Sequence, residues 1–339
     1  MFSITNIMKK WMLGIKKKKR EKNMTNNNII IKQKDQINHL VGKVTSINQG
    51  NHFYNVNLQL TNKTDINVKL DKETPSPVQG KIYCFQTICL LDKEELVLLN
   101  QKFSLAQEVL DAQTLYDVFL AFFVCSPVSF AVIERELEKY LAQIKNKIIK
   151  KITTNLYFKN KKDFLIAKAA LKMHHNYYGG LGYHTWNMLK MAESLLNIYP
   201  FLNRDLLYAG IILHDMAKIQ EIDADKKNYT KEGKLLGHLL MITFEVEKEA
   251  NLLGFQNTEE ILLLKHILIS NHGLLEYEAA KNPQIAETLL IWYLDNIDAK
   301  LTVLQETLEK TENQTFTTPI SILEKRNFYK FFLDPKNDE

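Results

Sequence analysis

Residues 206–221 read LLYAGIILHDMAKIQE. The run is an apolar helix pattern that ends in adjacent His214 and Asp215, with Lys218 one turn further on. A carboxylate beside an imidazole at the end of a buried apolar helix is costly unless a partner or a metal compensates it. Asn203 supplies the N-cap, and the helix is predicted over Arg204 to Ala217. Consecutive helical side chains diverge by about 100°. His214 and Asp215 therefore converge on one ion only near a helix end, or by bridging two coordination positions. Lys218 lies on the side of the Asp215 carboxylate.

The neighbouring sequence supplies further ligand types. Upstream, a helix predicted over Gly182 to Asn197 puts His184, Met188, Met191 and Leu195 on one apolar stripe, which turns His184 inward. Downstream, a helix from Gly233 to Leu253 carries His238 near its start. The next, Glu259 to Ser270, contains His266 and is followed by His272 and Gly273. A last long helix after Pro283 places Ile291, Trp292, Asp295, Asp298 and Ala299 on one stripe, with Asp295 partly buried. Imidazole with carboxylate suits zinc, manganese, iron or nickel rather than a thiolate-bound metal.

The set His184, His214-Asp215, Asp295 is the signature of the HD-domain metal-dependent phosphohydrolase superfamily. The words HHNYYGGLGYH (174–184), YPFLNRDLLYAGIILHDMAK (199–218), YTKEGKLLGH (229–238), LISNHG (268–273) and LDNIDAK (294–300) resemble more closely the YhaM-type 3′-5′ exoribonucleases. The resemblance covers roughly 165–305. It implies metal ligation by His184, His214, Asp215, His238, His272 and Asp295, and catalytic roles for Asp215 and Lys218, with Lys218 against the phosphate. His174, His175 and Arg204 are the expected substrate contacts. The implied cofactor is one or two divalent ions, Mn²⁺ first, with Co²⁺, Fe²⁺, Ni²⁺ and Zn²⁺ as alternatives. The implied substrate is single-stranded RNA, with single-stranded DNA as an alternative. Two departures stand out: Ala217 where the family commonly has Gly, and Asn271 where it commonly has a second His. His272 is then the expected ligand, and His266 the reserve. The rival readings are an HD-type phosphodiesterase for a small nucleotide and a catalytically weak nucleic-acid-binding protein.

Ahead of this region the periodicity is different. Tyr54, Val56, Leu58 and Leu60, then Ile66, Val68 and Leu70, alternate with polar residues. With the runs Ile82 to Leu90 and Glu95 to Leu99 and the turn residues between them, five short strands are predicted. They suit a small OB-like β-barrel over 31–104, which agrees with the N-terminal domain the resemblance implies. Phe53, Tyr54 and Tyr83 are candidates for base stacking. The expected fold is thus multidomain α+β: barrel, a helical connector over 105–164, an all-α HD domain over 165–312, and a C-terminal segment over 313–339. The connector carries Lys145, Lys147, Lys150, Lys151, Lys159, Lys161 and Lys162, read as a solvated face or a surface that tracks phosphates. FYKFFLDP near the end is expected to cap the bundle.

Charge narrows the partners. The net +5 is uneven: eight basic residues against Glu21 give residues 1–30 a charge of +7, leaving −2 for the rest. The tail is expected to be a disordered or membrane-surface arm, or to lie upstream of a true start at Met24. The basic count is mostly Lys, with only four Arg. Three cysteines match neither a disulfide framework nor a zinc pattern, which points to a reduced, cytoplasmic protein. No run reaches the ~18 apolar residues of a membrane span. A homo-oligomer is compatible with all of this.

Overall fold

The structure is a computed structural model that describes residues 33–50, 53–92, 95–171, 175–223, 227–273 and 279–333. The basic tail, the Met24 start and His174 lie outside the described residues. The chain divides into two compact units, 1–110 and 111–339.

The first unit is built on five strands: β1 (Ile37–Gln49), β2 (Phe53–Leu60), β3 (Asp65–Asp71), β4 (Ile82–Asp92) and β5 (Glu95–Leu105). They pair in the circuit β1-β2-β3-β5-β4 and back to β1. All pairs are antiparallel except β3–β5, a parallel seam of two residue pairs, Val68 with Leu98 and Lys69 with Leu99. The sheet is thus a partly open five-stranded barrel of OB type. Alternation explains it: Val56, Leu58 and Leu60 with Val68 and Leu70 fill the interior, while their neighbours face outward. Tyr83 belongs to that interior, its hydroxyl accepting from the Val78 N–H at 2.9 Å, so it offers no stacking face. Phe53 and Tyr54 are half-buried. A short helix, α1 (Ala106–Val109), follows β5.

The second unit is helical: α2 (Ala112–Leu120), α3 (Phe130–Gln143), α4 (Lys147–Ile166), α5 (Gly180–Ile198), α6 (Arg204–Leu213), α7 (Lys218–Glu221), α8 (Lys231–Leu253), α9 (Glu259–Ser270) and α10 (Ala286–Glu309). Asp111, Ser129, Asn146, Asn203 and Thr230 cap five of these, each side chain accepting from a first-turn N–H. Every residue from Leu206 to Leu213 is buried, because α6 is the central rod against which α3, α4, α5, α9 and α10 pack. A helix apolar on all sides has to be enclosed.

The sequence places a linker at 105–164, whereas Ile133, Leu137, Ile149, Ile152 and Leu156 share one core with α6. Of its lysines, Lys145, Lys147, Lys150, Lys151, Lys159 and Lys162 are exposed, a solvated face, while half-buried Lys161 pairs with Glu134 at 2.6 Å and Glu138 at 3.3 Å. The end of the chain pairs β8 (Thr315–Phe316) with β9 (Tyr329–Lys330). Phe331, Phe332 and Leu333 are exposed there and Phe328 is half-buried, while the last two residues of FYKFFLDP lie outside the described residues.

Candidate metal centre

The helix predicted to run to Ala217 stops at Leu213. His214 turns its Nδ1 back onto the Ile211 carbonyl at 2.7 Å, and residues 214–217 form turns before α7. That ending lets His214 and Asp215 point the same way, the condition the sequence requires for a shared ion. His184 comes to the same point from α5, with Nε2 3.9 Å from Asp215 Oδ2 and 3.3 Å from Asp295 Oδ1. His214 Nε2 lies 3.4 Å from Asp215 Oδ2, and His238 Nε2 lies 3.3 Å from Asp215 Oδ1. His272 faces His238, ring centroids 5.2 Å apart.

Two triads result, His184–His214–Asp215 and Asp215–His238–His272, with Asp215 common to both. The 3.4 and 3.3 Å spacings of His214 and His238 from Asp215 are those of ligands. Donor atoms about 2.1 Å from one ion stand about 2.9 Å apart at right angles and about 3.4 Å apart in a tetrahedron. Moreover, His214 Nε2, Asp215 Oδ1 and His238 Nε2 are buried without a hydrogen-bond partner among the described residues. Such atoms are costly unless something occupies the space between them. Imidazole nitrogen with carboxylate oxygen fits a divalent transition ion.

Other residues hold the ligands in place. His184 Nδ1 meets Asp298 Oδ2 at 2.7 Å, and Asn187 donates to Asp298 Oδ1 at 3.0 Å. Glu221 clamps His238 twice, through its ring Nδ1 at 3.0 Å and its backbone N–H at 3.1 Å. The second contact uses a kink in α8 at Gly237 (φ 70°, ψ 155°). Carboxylates behind ligating histidines fix tautomer and orientation. Lys218 donates to Asp215 Oδ2 at 2.7 Å.

The electrostatics follow from burial against close partners. Burial opposes ionisation of Asp215, yet His214 and Lys218 hold its carboxyl well below the usual range. Asp295 is held at about 2, burial again being outweighed, here by His184. Asp298 is lowered against burial by His175 and His184. Burial disfavours charge on Lys218, but Asp215 prevails and raises its pKa. His184 is lifted to about 10, because Asp295 and Asp298 outweigh its burial. The metal-free His184 ring therefore carries its second proton through the neutral range, and an ion has to displace it. Metal affinity is expected to rise with pH, by about tenfold per unit for each proton displaced below its pKa. Mn²⁺ titration calorimetry at pH 6, 7 and 8 checks this, and a flat profile would contradict it.

The structure does not bring every sequence-expected residue here. His266 accepts from the Gln284 N–H at 2.9 Å and belongs to neither triad, which leaves His272 as the fourth histidine. Arg204 is exposed at the first turn of α6, ten residues and so about 15 Å from His214. His175 is 1% exposed and bonded to Asp298, not turned to an open surface. Asn271 is buried and donates to the Leu268 carbonyl at 3.2 Å. Asp298 and Glu221 were not assigned from sequence. The one signal for Asp298 was its place on the Asp295 stripe, and Glu221 had none.

The HD domain family model matches residues 181–300. A 3′-5′ exoribonuclease YhaM from Geobacillus sp. (strain WCH70) is 40% identical over 210 residues, 62% of this chain and 64% of its own. The Bacillus velezensis relative of the same name is 38% identical over 62% of this chain and 67% of its own. That of Bacillus subtilis (strain 168) is 39% identical over 57% and 62%. The chain thus spans about two thirds of the length of these relatives, or slightly less. Among solved structures, a replication protein A heterotrimer bound to ssDNA aligns with 25% of this chain and 66% of its own, at 9% identity and a TM-score of 0.20. A likeness at that score carries no argument.

Proposed function

The chain belongs to the HD-domain family, alongside the YhaM relatives, and from that premise we propose that it is a metal-dependent 3′-5′ exoribonuclease acting on single-stranded RNA. The observation that carries the chemistry is the pair of triads meeting at Asp215, with buried ligand atoms at coordination spacing. The choice of RNA and of direction is supported by the names of the relatives.

His184, His214, Asp215 and Asp295 would hold one divalent ion, and Asp215, His238 and His272 a second, with Mn²⁺ the proposed metal. Such an ion supplies hydroxide from bound water near neutral pH and neutralises charge on phosphoryl oxygens. The protein's own part is positional. Asp298 and Glu221 hold His184 and His238 with their Nε2 atoms toward Asp215. Lys218, kept cationic by Asp215, sets a positive charge at the site and serves as an electrostatic contact to the scissile phosphate rather than as a proton donor. The barrel is the proposed platform for the single strand, supported by its strand order. The three cysteines are free, in keeping with a reducing, cytoplasmic setting.

The test is a metal screen with 5′-labelled single-stranded RNA. The expected result is a ladder that shortens from the 3′ end with Mn²⁺ and is absent with chelator. Parallel reactions with single-stranded DNA and mononucleotide phosphodiesters set the substrate class. RNA bound but left intact under every metal would overturn the reading in favour of a binding protein.

A further inference from the structure

His175 lies immediately behind His184, with ring centroids 5.6 Å apart. It is buried, and its contacts form a continuous array. Tyr177 Oη is 2.6 Å from His175 Nδ1, and His175 Nε2 is 2.7 Å from Asp298 Oδ2. The same Asp298 oxygen is 2.7 Å from His184 Nδ1. Thr302 Oγ1 stands 3.2 Å from His175 Nε2.

Donors and acceptors can be assigned along this array. An ionised carboxylate only accepts, so Asp298 Oδ2 takes N–H bonds from both rings, His175 Nε2 and His184 Nδ1. A neutral His175 then has its lone pair on Nδ1, which receives the Tyr177 hydroxyl. A neutral His184 likewise has its lone pair on Nε2, the atom that faces Asp215 and Asp295.

His175, His184 and Asp298 also form a compact ligand-type cluster. Its spacing is that of hydrogen bonds. Ligands about 2.1 Å from a shared metal stand about 2.9 Å or more apart, whereas both nitrogens here are 2.7 Å from the oxygen.

The local backbone is built to keep His175 there. Its φ is 54°, a left-handed conformation unusual for a non-glycine residue. Chain neighbours press on it as well: a Cβ at residue 180 would lie 2.1 Å from the His175 carbonyl oxygen, so only glycine fits that position.

We propose that His175 is a positioning residue that acts through Asp298 to fix the tautomer and ring orientation of His184, touching neither metal nor substrate. This rests on the metal-centre reading above. Removing an outer partner of a ligating histidine costs about 10- to 100-fold in metal affinity.

The experiment titrates Mn²⁺ into the metal-free full-length protein by calorimetry for the wild type and for His175→Ala, His175→Gln and His175→Asn. RNA affinity is measured in parallel without metal. Gln presents an amide N–H near the Nε2 position, and Asn presents one nearer Nδ1. The inference expects Ala and Asn to weaken Mn²⁺ binding by about 10- to 100-fold and Gln to restore it to within a few-fold. RNA affinity should stay within about twofold throughout.

Wild-type Mn²⁺ affinity in Asn and Ala overturns the inference. So does a fall in metal-free RNA affinity with metal binding unchanged, which would make His175 a substrate contact. An equal loss in Gln and Asn overturns it in favour of packing alone, and that comparison stands even if the Ala variant fails to fold. If the wild type itself binds no divalent ion, it is the metal-centre reading that fails.

Discussion

Asp215→Ala is expected to reduce RNA cleavage by on the order of 10³-fold or more while leaving RNA affinity nearly unchanged. Asp215 is the one side chain common to both triads, and its two oxygens face different histidines. On the proposed assignment, losing it would remove a ligand from both ions at once, and bound Mn²⁺ should fall toward zero rather than by half. The same substitution strands Lys218, whose cation is held at 2.7 Å by the lost oxygen in a mostly buried position. Breaking such a pair from one side leaves an uncompensated charge, at about 2 kcal/mol once its partial exposure is allowed for. Adding Lys218→Met should return part of that stability and none of the activity. The variant's Mn²⁺ stoichiometry, thermal midpoint and single-turnover cleavage rate separate these effects. Cleavage retained within tenfold would sink the assignment of the centre.

How much of this was legible depended on whether the signal was local. The barrel strands were, because Val56, Leu58 and Leu60 and then Val68 and Leu70 report burial with a period of two. The central helix was also legible, since LLYAGIIL is apolar on every side. Its true end was not. Nothing in HDMAK breaks a helix by propensity, and His214 still has helical dihedrals where its ring turns onto the Ile211 carbonyl. The helices of 105–164 carried a correct amphipathic pattern, but a pattern does not say which neighbour an apolar face meets. The carboxylates behind the ligands were the least visible. Asp298 reaches His184 across 114 positions of chain, and Glu221 reaches His238 across a hairpin of β6 (Ile222–Asp223) and β7 (Asn228–Tyr229).

The word LISNHG contains a test that separates the two triads. Gly273 directly follows His272 and has φ of 77°, a region glycine enters freely and other residues enter at a cost. A Cβ there would sit 2.1 Å from the ring of Trp292, one turn before Asp295 on α10. The bare Cα of Gly273 lies against that indole, directly after His272 of the second triad. Gly273→Ala cannot be absorbed by a side-chain tip, because the obstacle is a fused ring on a helix. The backbone of 272–273 has to move, at a cost of about 2–4 kcal/mol from strain and overpacking together. His272 moves with it, whereas His184, His214 and Asp215 are held by other elements. The expected outcome is a protein that binds about half the wild-type Mn²⁺, keeps the ion at His184–His214–Asp215, and cleaves RNA at least about 100-fold more slowly. Pairing it with Trp292→Ala, which clears the space for the new methyl, should recover part of the metal binding. Full Mn²⁺ loading in Gly273→Ala would show that His272 is not a ligand, and the second triad would then reduce to Asp215 and His238.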